Sequence, residues 1–327
     1  MSRRIFTMTL PIAFPVALLL TACGGGTSSD TSPSPGADGS PIRVVAGFYP
    51  LAYAAQQVGG SALEVINLTP PGGEAHDLEL GPQQVAEIGE ADLILYIPGF
   101  QPALDEAIAQ VAPDRALNVT EAIALLPAED HSEDGHSDDG HSEDGHDDDH
   151  AHDGDALAGD PHVWLNPLNM STIGDEIAAR LTAIDAEGSF TTGAASLSTA
   201  MDALNTQWAD GTIQCRSRDL VVSHEAFGYL AQQYNFVQVG IAGLSPDAEP
   251  SPARIAEVID LVRANGVTTI YYETLVDPKV AETLAAETGT STAILDPLEG
   301  LAEGATGDFV TIMQANLEQV QIGQGCS

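Results

Sequence analysis

Two series of strand-like and helix-like segments alternate along this chain, and this alternation limits its fold more than any other feature. Short apolar runs such as IRVVAGFY and LEVINL are separated by segments with helical periodicity, such as PQQVAEIGEA. The first series covers residues 42–120 and the second covers residues 219–322. Strands that alternate with helices form βα units and mainly parallel sheets. The sequence therefore predicts an α/β fold with two lobes, each containing a mainly parallel sheet flanked by helices.

A helical pattern between the two series predicts how the lobes are connected. The stretch SFTTGAASLSTAMDALNTQWADG has the periodicity of a long helix. We expect an N-terminal lobe over residues 42–186, a linking helix over 187–211 and a C-terminal lobe over 212–327. A chain of 327 residues is long enough for two such lobes with a substantial core.

The N-terminal segment indicates export. Residues 1–22 contain Arg3 and Arg4, an apolar run and then small residues, as secretory signals do. The sequence LTAC resembles a lipobox, which implies that Cys23 is lipidated and holds the protein at a membrane through lipid alone. Residues 23–41 begin with this cysteine and continue as a flexible tether rich in Gly, Ser and Pro. We therefore expect an extracytoplasmic protein, either periplasmic or on the cell surface.

Charge and cysteine usage narrow the possible partners. The net charge is -38 with only 10 Lys and Arg residues, which argues against binding to nucleic acids or anionic lipid surfaces. Cations are the more natural ligands.

With Cys23 assigned to lipid, Cys215 and Cys326 remain as an even pair in an exported protein, so we expect a disulfide between them.

An acidic, histidine-rich segment covers residues 129–155. Its histidines are His131, His136, His141, His146, His150 and His152. Four consecutive five-residue units, each beginning with His, contain no apolar residue that could pack in a core, so we expect a mobile loop. Such a loop can hold several Zn²⁺ ions weakly and lacks fixed geometry, which favours an accessory role. A solvated acidic linker without a metal role is the alternative.

The three other histidines suggest a metal site. His76 and His224 each follow a predicted strand, and His162 lies in GDPHVWLNP. Two carboxylates, Glu273 and Asp296, also follow predicted strands. Because the carboxyl ends of parallel strands line one crevice, these residues could converge there. Three imidazoles and one carboxylate suit tetrahedral Zn²⁺. Each carboxylate could instead form a helix cap or a turn, so the fourth ligand stays open.

Four stretches carry a resemblance to a known family: GDPHVWLNP, VVSHEAFGYLAQQYNF, GLSPDAEPSPARIAEV and LDPLEG. The chain resembles, over nearly all of its mature length, the zinc-binding solute-binding proteins of ABC transporters. This resemblance implies that the metal lies in the cleft between two lobes joined by a long helix. The ligands that it implies are His76, His162, His224 and Asp296. Glu74, beside His76, and Glu273 are alternative oxygen donors.

The function implied by this resemblance is transport and not catalysis. A lipid-anchored, monomeric receptor would capture Zn²⁺ outside the cytoplasm and deliver it to an ABC transporter permease for high-affinity uptake. A periplasmic metallochaperone is a further partner compatible with this role. One alternative is a surface protein that stores or buffers zinc on its histidine-rich loop. Another is a zinc hydrolase, but HEAFG lacks the second histidine of the H-E-x-x-H motif.

Overall fold

The computed structural model describes residues 40–128 and 159–327. The predicted signal segment, Cys23, most of the tether and the histidine-rich segment 129–155 lie outside the described residues. Within the described ranges, we find no helix that combines the length and the apolar character needed to cross a membrane.

The first sheet is parallel, with the strand order β2-β1-β3-β4. Its strands are β1 (Ile42–Ala46), β2 (Leu63–Asn67), β3 (Leu93–Tyr96) and β4 (Ala116–Asn118). The helices between them are α1 (Tyr49–Gly59), α2 (Pro82–Glu90) and α3 (Pro102–Val111). Val44 and Leu95 belong to one buried cluster, whereas Val45 and Ile94 belong to another on the opposite face. Both faces are thus covered, which explains why these strands are continuous apolar runs.

The second sheet repeats this parallel arrangement, with the order β6-β5-β7-β8. Its strands are β5 (Asp219–Val222), β6 (Val237–Gly240), β7 (Thr269–Tyr272) and β8 (Ser291–Ile294). Its helices are α6 (Gly228–Tyr234), α7 (Pro252–Asn265), α8 (Lys279–Thr288) and α9 (Phe309–Gln324). The predicted fold class, two mainly parallel sheets flanked by helices, is confirmed. We call the first sheet, α1–α3 and the segment 159–166 the N-lobe, because Trp164 of this segment packs against Phe48 and Phe100. The second sheet, α6–α9 and the segments between them form the C-lobe.

Two helices connect the lobes, α4 (Pro167–Ile184) and α5 (Phe190–Thr212). The longer helix, α5, packs against α1 of the N-lobe and against α9 of the C-lobe. One buried cluster accordingly includes Val44 of the N-lobe, Trp208 of α5 and Val222 of the C-lobe. The predicted disulfide is present between Cys215 and Cys326, and it joins the segment after α5 to the end of α9.

Candidate metal centre

Four side chains from four separate segments come together between the two sheets. They are His76, His162, His224 and Glu299. His76 lies in the loop between β2 and α2, and His162 precedes a short 3₁₀ helix. His224 follows β5, and Glu299 follows β8. One donor atom from each side chain lies within 4.8 Å of the other three. The structure thus brings together the three predicted histidines and adds a glutamate.

The distances from Glu299 to the three imidazoles, and the distance between His162 and His224, are close to those of a tetrahedral zinc shell. Oε1 of Glu299 lies 3.2 Å from Nε2 of His162 and 3.1 Å from Nε2 of His224. Its distance to Nε2 of His76 is 3.5 Å. The Nε2 atoms of His162 and His224 are 3.3 Å apart. Tetrahedral bonds of about 2.0–2.1 Å hold donor atoms about 3.3–3.4 Å apart. A Zn²⁺ ion therefore fits these four donors.

The centre is almost fully shielded from solvent. His162 and His224 have no exposed surface, and Glu299 is 3% exposed. The side chain of His76 is 10% exposed, so the centre lies nearest to solvent on this side. Nε2 of His76 is buried and makes no well-formed hydrogen bond among the described residues, since the carboxylate of Glu299 lies 3.5 Å away. A buried nitrogen without a partner is costly, and a metal ion at the centre would satisfy it.

Two buried carboxylates orient two of the imidazoles. Oδ1 of Asp160 lies 2.7 Å from Nδ1 of His162 and also accepts the backbone N–H of that histidine. Oε1 of Glu273 lies 2.6 Å from Nδ1 of His224. Because a carboxylate only accepts hydrogen bonds, each Nδ1 carries the proton and each Nε2 faces the centre. Such outer carboxylates fix the ring orientation and raise the basicity of the metal-binding nitrogen.

The pKa shifts of the three imidazoles differ from one histidine to the next. Burial lowers the pKa of His76, and Glu299 only partly offsets this effect. Burial also disfavours the imidazolium of His162, but Asp160 and Glu299 outweigh it and raise the pKa. The pKa of His224 is raised well above 6.5, because Glu299 and Glu273 outweigh burial.

The pKa of Glu299 moves in the opposite direction. Burial alone would raise it, but His224 and the two other imidazoles hold it well below its usual value. Imidazolium groups and the Glu299 carboxylate therefore stabilise each other.

Glu74 lies beside the centre without belonging to the four-donor group. Its Oε2 accepts the backbone N–H of His76 at 2.8 Å. Burial and its contact with Glu299 raise the pKa of Glu74 to about 9. Glu74 also forms an acidic group with Asp77 and Asp247. Its backbone contact ties the Glu74 carboxyl to the loop that carries His76.

Asp296, which the resemblance implied as the fourth ligand, has other partners in the structure. One of its carboxylate oxygens accepts the hydroxyl of Thr274 at 2.9 Å, and the other accepts the backbone N–H of Leu298 at 2.8 Å. Glu299, three residues later in the same LDPLEG stretch, lies in the centre instead. The reason is local: Leu298 has a φ of 58°, and this left-handed residue follows the turn that Asp296 stabilises. Glu273, the other alternative donor, contacts His224 on the nitrogen that faces away from the centre.

The profile of one protein family, the zinc-uptake complex component A periplasmic family (ZnuA), matches residues 44–323. The chain belongs to this family. The predicted resemblance to zinc-binding solute-binding proteins is thereby confirmed. Among its relatives, the zinc-binding lipoprotein AdcA of Streptococcus pneumoniae is 33% identical over 96% of this chain and 60% of the relative. The high-affinity zinc uptake system protein ZnuA of Bacillus subtilis is 31% identical over 93% of both chains.

Solved structures of similar proteins share this fold. The Zn(II)-bound ZnuA-like domain of Streptococcus pneumoniae AdcA matches with a TM-score of 0.70 and 29% identity, over 87% of this chain and 99% of that domain. The laminin-binding protein Lmb of Streptococcus agalactiae, described as an adhesin with metal-transporting activity, matches with a TM-score of 0.71 and 27% identity, over 86% and 99% of the two chains. This chain spans about 60% of the length of the pneumococcal AdcA.

Proposed function

We propose that this ZnuA-family chain is an extracytoplasmic receptor that captures one Zn²⁺ ion between its lobes and delivers it to an ABC transporter permease. The observation that carries the proposal is the buried group of three imidazoles and one carboxylate with tetrahedral spacing. Four protein donors complete a zinc shell and leave no position for a reacting water. Binding and release, without catalysis, are what such a site supports.

The proposed ligands are His76, His162, His224 and Glu299. This set keeps the three histidines expected from the sequence and takes Glu299 in place of Asp296. The donor types also suggest the cargo. Three imidazoles favour Zn²⁺ over the harder Mn²⁺, which prefers oxygen donors, and the Irving-Williams order ranks the two ions in the same way.

Two other functions make different demands on this site. A hydrolase needs an open coordination position for water, whereas Glu299 approaches two of the imidazoles as closely as 3.1–3.2 Å. A storage protein would hold most of its zinc on the histidine-rich segment and would need no buried centre. The geometry of the four donors therefore favours a receptor over both.

The ligand set can be tested in protein that lacks residues 129–155, so that the histidines of that segment bind no zinc. Competition titration with a chromophoric chelator should give one tight Zn²⁺ per molecule. Glu299→Gln should then weaken binding by more than the roughly 10–100-fold that loss of an outer carboxylate costs. The matched variant Asp296→Asn keeps acceptors for Thr274 and Leu298 and should change the affinity little.

Three results would contradict this ligand set. Loss of the tight site on deletion of residues 129–155 would show that this segment supplies an obligatory ligand. A larger loss of zinc affinity in Asp296→Asn than in Glu299→Gln would show that Asp296 is the fourth ligand. Mn²⁺ binding as tight as Zn²⁺ binding would reject zinc as the cargo.

Delivery and anchoring need a cellular test. We propose that Cys23 is lipidated, in line with the LTAC sequence and with the lipoprotein name of the pneumococcal relative. Cells that carry His224→Ala in place of the native chain should take up less zinc at low external concentration, and excess zinc should restore growth. Unchanged uptake at limiting zinc would refute delivery. Cys23→Ala should release the protein from the membrane fraction.

A further inference from the structure

The segment that carries Glu299 is fixed to the N-lobe by hydrogen bonds on both sides. We call residues 296–301 the Glu299 turn. The indole N–H of Trp164 donates to the carbonyl of Pro297 at 2.7 Å, and this contact is buried. On the other side of the turn, the backbone N–H of Gly72 donates to the carbonyl of Leu301 at 2.7 Å. The N-lobe therefore holds the C-lobe segment that presents the proposed fourth ligand.

The turn passes so close to the N-lobe that Gly300 has no room for a side chain. A Cβ added to Gly300 would lie 2.7 Å from the carbonyl oxygen of Gly73. The backbone of Leu298 is left-handed, which costs energy for a bulky residue and persists only where the surroundings enforce it. The contacts to Pro297 and Leu301 flank this residue, and the Asp296 carboxylate accepts its backbone N–H.

Trp164 is held in place by close packing, so its indole N–H can hold a neighbouring segment in position. It has no exposed surface, and its ring packs against Phe48 and Phe100 with centroid distances of 4.7 and 5.5 Å. It lies two residues after His162, whose ring is 5.2 Å away. A single short segment of the N-lobe therefore carries one zinc donor and contacts the backbone that positions another.

A glutamate needs such support because its side chain is long and flexible. Holding one in a single rotamer costs up to about 1.5–2 kcal/mol of conformational entropy. Binding sites tolerate misplacement of only about 0.5 Å. The carboxylate of Glu299 meets three imidazoles at 3.1–3.5 Å, so a shift of its backbone would open the shell on one side.

We propose that Trp164 is a positioning residue for zinc binding: its hydrogen bond to Pro297 sets the backbone of the Glu299 turn and so places the Glu299 carboxylate on the metal. This inference rests on the proposed ligand set. It also means that the fourth ligand, although it belongs to the C-lobe, is in place only when the N-lobe holds the turn.

Two single variants separate this role from simple core packing. Trp164→Phe removes the N–H donor and keeps an aromatic ring against Phe48 and Phe100. Trp208→Phe is the matched control, because Trp208 is equally buried and stacks on Tyr234, while its Nε1 has no partner among the described residues. Both variants lose a similar volume from the core, but only Trp164→Phe releases the Glu299 turn.

The measurements are zinc affinity by competition and the visible spectrum of the Co²⁺-loaded protein, both without residues 129–155. We expect Trp164→Phe to weaken zinc roughly 10–100-fold, as for other outer partners of metal ligands. The visible absorption bands of bound Co²⁺, which are strong in a tetrahedral site, should become weaker in Trp164→Phe, as for a five-coordinate site. Glu299→Gln should show the same change. Trp208→Phe should lower thermal stability and leave the Co²⁺ spectrum unchanged.

A double-mutant cycle tests whether Trp164 acts through Glu299. Once Glu299→Gln is present, adding Trp164→Phe should cause little further loss of affinity, since there is no fourth donor left to position. Additive losses, or an unchanged Co²⁺ spectrum in Trp164→Phe, would overturn the inference. If Trp164→Phe does not fold, the benzothienyl analogue of tryptophan at this position keeps the ring and lacks the N–H, and the same outcomes apply.

The cycle also separates failure of this inference from failure of the ligand set. If Glu299→Gln acts on affinity and spectrum while Trp164→Phe does not, the positioning role is wrong and the ligand set stands. If Glu299→Gln changes neither affinity nor spectrum, the ligand set is wrong and the inference falls with it.

Discussion

The Glu273 carboxylate provides the sharpest test of how the centre is built, because it contacts His224 without facing the metal site. Its Oε1 lies 2.6 Å from Nδ1 of His224 and also accepts the hydroxyl of Ser223. Glu273→Gln keeps an acceptor of the same shape and removes the negative charge. The variant therefore tests whether the charge contributes to zinc binding through the imidazole.

The burial of this pair sets the expected magnitude. The side chain of Glu273 is 2% exposed and that of His224 is fully buried, so solvent does not screen their interaction. Loss of an outer carboxylate typically costs roughly 10–100-fold in metal affinity, or about 1.4–2.7 kcal/mol. We expect Glu273→Gln to fall in this range, whereas His224→Ala, which removes a donor, should cost more.

The pH dependence of the loss gives a second, independent signature. Glu299 and Glu273 together raise the pKa of His224 in the metal-free protein, so a proton competes with zinc for its Nε2. Glu273→Gln lowers that pKa and weakens the competition. The affinity difference between the native protein and Glu273→Gln should therefore be largest at high pH, where His224 is neutral in both. It should shrink as the pH falls and the native histidine becomes protonated.

The assay is competition titration across about pH 6 to 9, the range in which histidines titrate, on protein without residues 129–155. The matched control is Glu287→Gln, which removes the charge of an exposed glutamate on α8 and should leave zinc affinity unchanged. A loss as large as that of Glu299→Gln would make Glu273 a direct ligand. An unchanged affinity at high pH would refute the orienting role. In a His224→Ala background, Glu273→Gln should add nothing.

Two further predictions follow from the centre and from the disulfide. Zinc affinity should fall as the pH is lowered, starting above pH 6.5, because zinc must displace protons from His162 and His224, whose pKa values are raised. Calorimetry in two buffers should show that zinc binding releases protons. No proton release near neutral pH would contradict the raised pKa values. Replacing Cys215 and Cys326 by serine removes a crosslink between residues 111 apart and should lower the free energy of unfolding by up to about 4–5 kcal/mol. Denaturant unfolding with chelator present checks this, and a large loss of zinc affinity would show that the bridge also shapes the centre.

The fold class could be predicted because both sheets are buried on both faces. Such strands are continuous apolar runs, and the helices between them have the 3.6-residue period, so the two patterns are easy to separate. The predicted linking helix over 187–211 corresponds to α5, which the structure bounds at Phe190 and Thr212. The sequence gives no clear pattern for the short strand β4. Its three residues, Ala116–Asn118, are only partly buried, and three residues carry no usable periodicity.

The histidines of the centre were easier to predict than its carboxylate. His76 and His224 follow strands, where the topology of parallel sheets collects functional side chains. Glu299 lies three residues after Asp296 in one short stretch, and both are carboxylates. Glu299 enters the centre through the left-handed φ of Leu298, and in our proposal the contact of Trp164 with Pro297 holds this backbone in place. Neither the backbone angle nor the contact between lobes has a local sequence pattern.

The charges around the centre suggest how it can exist both with and without metal. Glu299, Asp160 and Glu273 place three carboxylates on or beside the imidazoles, which would be costly to bury without positive charge. Without zinc, the raised pKa values of His162 and His224 favour imidazolium groups that can supply that charge. The two positive charges of Zn²⁺ would replace those of two imidazolium protons, so the net charge of the buried site would hardly change. Two positive charges beside three carboxylates leave one net negative charge in either state, so the exchange keeps each carboxylate next to positive charge whether or not zinc is bound.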